Sequence, residues 1–243
     1  MPDLRRRIMG VFIATLASLG TANASLIIDS TVGGAPNGAN LVRENFNSLS
    51  LGSSGGLLAS GVSVNFVGDA QGVQGSVVGI QAAPFLSGSN GLGFGSPDQP
   101  MGPNSSTYLM TASNAEAPDT GITLNLGQFT SYFGVLWGSI DPSNTLTFFS
   151  GETSVGVVTG SDVTSNPDGD QGVDGTRYVN ITSTSLFDRV VFTSSSLPFE
   201  FDNVAFSRLL PEPVPEPASL ALLGLGLLGF GLVSRRHPTS RPG

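Results

Sequence analysis

The sequence has no cysteine and no lysine, and its single histidine is His237. Residues 25–210 therefore offer neither a thiol nor an imidazole, which excludes disulfides, Cys/His zinc sites and Ser-His or Cys-His catalysis there. Charge is also scarce, because only 12% of residues are charged and 18 acidic residues outnumber 10 arginines. No run of arginines between residues 25 and 204 could neutralise a series of phosphates, so a nucleic-acid partner is not expected.

Residues 1–24 have the three parts of a secretory signal peptide. Three arginines at 5–7 precede a largely apolar run over 8–20, and Ala22 and Ala24 form a small-x-small cleavage site. The apolar run lacks the charged face that a surface helix of a folded domain would have. The pattern therefore predicts export, with the mature domain beginning at residue 25.

A second segment with three parts follows the domain. Its parts are a proline-rich linker at 211–217 with Pro215, Glu216 and Pro217, an apolar segment at 218–234, and a tail at 235–243 with Arg235 and Arg236. As a helix, an apolar run of about 16 residues extends about 24 Å, slightly less than the ~30 Å hydrocarbon core of a bilayer. Because arginines that follow a span stay in the cytoplasm, we predict a transmembrane sorting helix with the domain outside the cell.

This order of a Pro-Glu-Pro lead, a Leu/Gly-rich span and a short arginine tail resembles the PEP-CTERM sorting signal of exported bacterial proteins. The resemblance implies recognition by an exosortase, a membrane-embedded transpeptidase, then cleavage and delivery to the cell envelope or extracellular polysaccharide. The prolines favour an extended strand with few backbone donors, which suits a recognition segment. The alternative is an ordinary single-span anchor with a proline-rich stalk.

Residues 25–210 are rich in short runs of alternating apolar and polar residues, which predict strands with one wet face. These runs lie at 62–66, 122–126, 133–137, 145–148 and 178–182. Glycine, serine, asparagine and proline separate them, and residues 87–106 read as a long loop. We predict an all-β fold, an antiparallel, jelly-roll-like β-sandwich, with a closed barrel as the alternative.

Two stretches of this domain resemble a subgroup of exosortase-dependent surface proteins. The first runs over 133–148 and contains a Trp-Gly-Ser-Ile-Asp strand and turn, and the second is the closing run 199–206. The resemblance implies a surface protein whose last strand lies shortly before the sorting signal. It names no ligand.

The acidic loop after residue 167 is a candidate Ca²⁺ site. Asp168, Asp170 and Asp174 stand at relative positions 1, 3 and 7 of a glycine-rich run, and Ca²⁺ prefers such oxygen ligands. The run is not an EF-hand, because Val179 stands where a bidentate glutamate would be required. The alternative is a solvated turn whose aspartates bind their own backbone.

The only tryptophan, Trp137, is a candidate sugar platform with Asp141 and Asn144 close behind it. An exposed indole would stack on a sugar ring while the polar groups bind its hydroxyls. The competing interpretation places Trp137 in the core, because large aromatic residues in sandwich strands bury much apolar area.

An enzymatic role is not expected, although paired carboxylates are sufficient for glycoside hydrolysis. The carboxylates that such a pair would draw on are Asp141, Glu152, Asp188 and Glu200. The sequence thus predicts an exported surface or matrix protein whose domain is a structural or binding module. Calcium-dependent carbohydrate binding and, less strongly, glycoside hydrolysis are the alternatives, and polysaccharide is the candidate partner.

Overall fold

A computed structural model describes residues 25–30, 33–37, 40–94, 100–111 and 121–208. Within these residues there are one short helix, α1 (Gly160–Val163), and a 3₁₀ turn at Gly88–Asn90. The strands are β1 (Leu26–Asp29), β2 (Leu41–Glu44), β3 (Gly56–Leu57), β4 (Ser63–Val67), β5 (Gln71–Val73), β6 (Phe85–Leu86), β7 (Gly102–Pro103), β8 (Tyr108–Met110), β9 (Gly121–Gly138), β10 (Asn144–Ser150), β11 (Thr153–Thr159), β12 (Arg177–Ser194) and β13 (Glu200–Ser207).

The fold is all-β and antiparallel, which confirms the predicted fold class. Eleven strands form one sheet, in which the order β11-β10-β12-β9-β13-β8-β5 has β1, β2, β3 and β4 attached at its sides. This order is open and does not close on itself. The small pair β6-β7 lies outside the sheet.

Two strands of 18 residues, β9 and β12, pair with each other and hold the sheet together. The first part of β9, at 121–125, pairs with β4, whereas its later part, at 133–138, pairs with β13. The runs predicted as separate strands at 122–126 and 133–137 are therefore one strand that changes neighbours along its length. Gly127 permits this change, since its φ is +70° and a side chain there would press against the carbonyl oxygen of Gly61.

The core lies between two layers of the sheet. One layer contains β4 and the first part of β9, and the other contains β13 and the later part of β9. Phe133, in the later part of β9, makes edge-on ring contacts with Phe148 of β10 and Phe192 of β12. Phe201 of β13 stacks on Phe192 with ring centroids 3.6 Å apart. Each such ring removes a large apolar area from water, so these aromatic contacts stabilise the packing of the core.

The outer face of the β9–β13 layer is also buried, beneath the segment that runs from Ala82 to Tyr108. Leu86 and Phe94 of this segment pack with Leu136 and Tyr178 of the sheet. Gly138 lies so close to Pro84 that a β-carbon there would overlap the proline. The predicted long loop at 87–106 is thus a cover for the sheet, and its residues 95–99 lie outside the described ones.

Both ends of the chain, residues 1–24 and 209–243, lie outside the described residues. Among the residues that the structure describes, no helix has the length and apolar character needed to cross a membrane. The predicted signal peptide and the predicted sorting helix at 218–234 both fall outside them. The last described strand, β13, ends at Ser207.

Candidate functional site

A small pocket with a mixed polar and apolar lining opens at the edge of the sheet where β9 ends and β13 begins. Its cavity volume is about 110 Å³. The residues that line it are Gly79, Ile80, Gln81, Ser139, Asp141, Gly169, Gln171, Leu197, Pro198 and Glu200. Antiparallel pairing explains the location, because the end of β9 and the start of β13 meet at one edge.

Glu200 is the most deeply placed acid of this pocket, with 2% of the residue exposed. Its Oε1 accepts a hydrogen bond of 2.9 Å from the backbone N–H of Ala82, and its Oε2 accepts one from the Ser139 hydroxyl. Burial raises the pKa of Glu200 to about 7, the two hydrogen bonds offset part of this rise, and the charge of Asp141 adds to it. Near neutral pH the Glu200 carboxyl is therefore present in both protonation states, so it can donate as well as accept a hydrogen bond.

Ser139 and Asp141 are placed by the turn that follows β9. Ser139 has a φ of +40°, a left-handed conformation that is uncommon for serine, and its hydroxyl meets Glu200 there. Asp141 Oδ1 accepts hydrogen bonds from the backbone N–H of Ser143, at 2.8 Å, and from the Ser143 hydroxyl. Two carboxyl groups that are far apart in the sequence thus line one cavity.

The acidic loop lies beside this pocket and is held to the same turn. Gly169 N–H donates to the Ile140 carbonyl at 2.9 Å, and the Ile140 N–H donates to the Gly175 carbonyl at 3.0 Å. These two bonds bring Gly169 and Gln171 to the pocket wall.

The three aspartates predicted as calcium ligands, Asp168, Asp170 and Asp174, lie in this loop, where two of the carboxylates bind backbone N–H groups. Asp170 Oδ1 accepts the backbone N–H groups of Gly172 and Gly175, and Asp168 Oδ1 accepts the N–H of Asp170. Among the described residues, no three acidic, histidine or cysteine side chains are grouped so that they could hold a metal ion. The loop is the backbone-binding turn that stood as the alternative.

Trp137 lies in the core, and 0% of it is exposed. Its ring stacks on Phe199 at a centroid distance of 4.4 Å, and its Nε1–H donates to Asn144 Oδ1 at 3.2 Å. Asn144 also accepts the backbone N–H of Asp141. The three residues proposed for a sugar platform are thus neighbours, but a stacking surface on Trp137 is wrong because the indole is covered. Asp141 alone of the three lines the pocket.

The four carboxylates considered for glycoside hydrolysis fall into two places. Asp141 and Glu200 line the pocket. Glu152 lies in the β10–β11 turn and pairs with Arg189 at 3.4 Å. Asp188 lies beside this turn on β12 and accepts the N–H of Gly151. The length of β10, roughly 20 Å at the rise of an extended strand, separates this turn from the pocket.

Sequence reasoning missed the residues that complete the pocket wall. Gln81 and Leu197 come from loops far from Asp141 in the chain, and no spacing pattern links them. No motif marks Ser139 either, because its left-handed backbone cannot be read from the sequence. The one available signal is Glu200, a carboxylate at the start of a strand that carries three large apolar side chains, Phe201, Val204 and Phe206.

Beyond the described residues, the family model of the PEP-CTERM protein-sorting motif matches residues 213–236. The chain carries a PEP-CTERM sorting motif. The match includes Pro215, Glu216, Pro217, Arg235 and Arg236, as the sequence predicted. The PEP-CTERM motif implies processing by an exosortase-type transpeptidase and supports export and sorting to the cell surface.

No curated protein matches this chain. The PEP-CTERM motif therefore indicates how the protein is sorted and does not indicate what its β-domain binds or does. The residues of the motif and the predicted signal-peptidase site at Ala22 and Ala24 all lie outside the described residues.

Proposed function

We propose that this protein is exported, processed by an exosortase at its PEP-CTERM motif, and retained in the cell envelope or extracellular polysaccharide, where its β-domain is a non-catalytic structural or binding module. The observation that carries the proposal is the motif match at 213–236, which begins shortly after β13 ends at Ser207. Cleavage near the motif would release the whole β-domain, because every described strand lies before it.

The composition of residues 25–210 supports this role. Fifteen acidic residues face four arginines there, and such an excess keeps an exported protein soluble. The same residues contain no histidine and no cysteine, so the commonest nucleophile and base pairs are missing. The proposal includes two further steps. The protein is held in the membrane for a short time before cleavage, and the processed protein is then anchored in the envelope.

The chain offers a matched pair of variants for testing the sorting mechanism, because it contains two Pro-Glu-Pro triplets. One variant replaces Pro215, Glu216 and Pro217 with alanine, inside the matched motif. The control replaces Pro211 and Glu212 with alanine, just before it. The two variants remove the same residue types a few positions apart, so a difference in their processing shows that the exosortase recognises the second triplet.

Intact mass and cell fractionation of the product in the producing bacterium are the measurements. We expect the first variant to keep its C-terminal segment and to remain with the membrane, whereas the control should be processed like the unchanged protein. Normal processing of both variants, or recovery of the unchanged protein from the cytosol with both ends intact, would contradict the proposal.

A further inference from the structure

We propose that the pocket between Ser139, Asp141 and Glu200 binds the end of a neutral sugar chain, with the hydroxyl-bearing part of the terminal sugar residue in the cavity and the next residue along the neighbouring groove. This inference rests on the binding role proposed for the β-domain and assigns that role to named residues. It replaces the covered Trp137 platform with a different surface.

The pocket has the mixed character of a small-ligand site. Its floor is polar, because Glu200 and Asp141 are both buried. Its rim is apolar, since it is lined by Ile80, which is 45% exposed, and Leu197, which is 56% exposed. Sites of this kind combine a few placed polar groups with apolar walls. A sugar matches both parts, because its hydroxyls need hydrogen bonds and its C–H faces need apolar contact.

The charge of the pocket favours a neutral ligand. Among the described residues that line the cavity none is basic, so an anion would meet the Asp141 carboxylate without a compensating charge. Burial disfavours the ionised form of Glu200, so the pocket does not hold two fixed negative charges that would favour a cation. Hydroxyl groups suit the carboxyl of Glu200 in either protonation state, because a hydroxyl both donates and accepts.

The size and surroundings of the pocket favour a chain end over an isolated small molecule. A volume of about 110 Å³ holds roughly three to four waters at their liquid volume, which matches the hydroxyl-bearing part of one sugar ring. A second, shallower groove of about 470 Å³ shares Asp141 and Leu197 with the pocket. That groove is also lined by Ser143, Asp168 and Ser195, whose hydroxyl and carboxylate groups are of the kind that bind sugar hydroxyls.

The test uses the processed protein isolated from the producing bacterium and saturation-transfer NMR. The probes are methyl glycosides of glucose, galactose, mannose and N-acetylglucosamine, together with glucuronic acid and the neutral and acidic polysaccharides of the producing strain. Free glycosides report the pocket alone, whereas the polysaccharides report the pocket and groove together.

The informative variants are Gln171→Ala and Leu197→Ala, because both side chains are exposed at the pocket and their truncation leaves the core intact. Leu57→Ala is the matched control, since Leu57 is an exposed leucine on β3, outside the pocket. Near-ultraviolet circular dichroism confirms that each variant is folded. These variants leave the PEP-CTERM motif unchanged, so their sorting tests the proposed function separately.

We expect at least one neutral glycoside to bind, with tighter binding of a neutral polysaccharide. The two pocket variants should each weaken this binding by about tenfold, which corresponds to the loss of one good contact, and the control should not change it. Three results would overturn the inference: no saturation transfer to any neutral probe, preference for glucuronic acid, or equal binding by the pocket variants and the unchanged protein.

Discussion

The two faces of β13 differ in the interactions that stabilise them: apolar packing on the inner face and hydrogen bonds to buried carboxyl groups on the outer face. On the inner face, Phe201, Val204 and Phe206 pack into the aromatic core between the layers. On the outer face, Glu200 and Asp202 are buried beneath the covering segment and are held by hydrogen bonds. The inner face needs only apolar side chains of the right size, whereas each polar group of the outer face needs a particular partner.

A bulge in β13 widens this difference. The register between β13 and β9 shifts between Asp202 and Ala205. Asp202 accepts a hydrogen bond from Asn104 of the covering segment, and Asn203 lies against Gly93 of the same segment. Bulges are enriched near functional sites, and this one follows directly after the pocket residue Glu200.

The largest expected effect tests the inner face through Phe201→Ala. Phe201 is fully buried and contacts the rings of Phe46, Phe192 and Phe199. We expect the free energy of unfolding to fall by about 3–5 kcal/mol, because the substitution removes apolar contacts and leaves a cavity. Urea denaturation of the processed protein measures this change.

The control for this variant is Phe129→Ala, at a phenylalanine that is 44% exposed. It should lower the free energy of unfolding by no more than about 1 kcal/mol, because much of that ring is already in water. Similar losses at Phe129 and Phe201 would show that the inner face is not the principal source of stability.

The inner face is also the part of the fold that the sequence predicts best. Period-two alternation in 122–126 and 133–137 identifies which side chains face the core, and the strands follow. The sequence does not show that these two runs form one strand. A glycine between two alternating runs can mark either a turn between two strands or a bend within one, and Gly127 is such a bend. The sequence also leaves the order of the strands undetermined, since alternation specifies which side chains of a strand face the core and not which strands pair with it.

The candidate site is less predictable for a physical reason. Asp141 and Glu200 were both candidates, yet their proximity depends on the pairing of β9 with β13. Gln81 and Leu197 reach the pocket from loops whose course follows from tertiary packing. The acidic loop is ambiguous in the sequence, because the same carboxylates suit Ca²⁺ and the backbone of a tight turn, and spacing alone does not separate the two.

The second expected effect tests the outer face through Glu200→Gln. The pKa of Glu200 is about 7 in the folded chain against an ordinary 4.5, so the folded state binds the proton more tightly than the unfolded state. Stability from this group is therefore fully present below pH 4.5 and decreases until the pH exceeds about 7. Glutamine stays neutral, so the variant should gain about 3 kcal/mol relative to the unchanged protein over that pH range.

Denaturant midpoints of both proteins between pH 4 and 8 check this prediction. The other groups near Glu200 are Asp141, Tyr108 and Ser139, and none of them is altered by the variant. Glu152→Gln serves as the control at an exposed carboxylate, with an expected difference within about 0.5 kcal/mol at every pH. A constant difference between Glu200→Gln and the unchanged protein would show that Glu200 is not buried as described.

The smallest expected effect separates backbone from side chain at Asn203, the bulge residue of the outer face. Asn203 is fully buried with a φ of +50°, and within the described part of the chain neither amide atom has a hydrogen-bond partner. Asn203→Gly and Asn203→Ala both remove this amide, but only glycine accepts the left-handed backbone without strain. We expect the glycine variant to be more stable than the alanine variant by about 1 kcal/mol in urea denaturation. If the two variants are equally stable, the left-handed backbone at Asn203 is not a constraint that the outer face imposes on the chain.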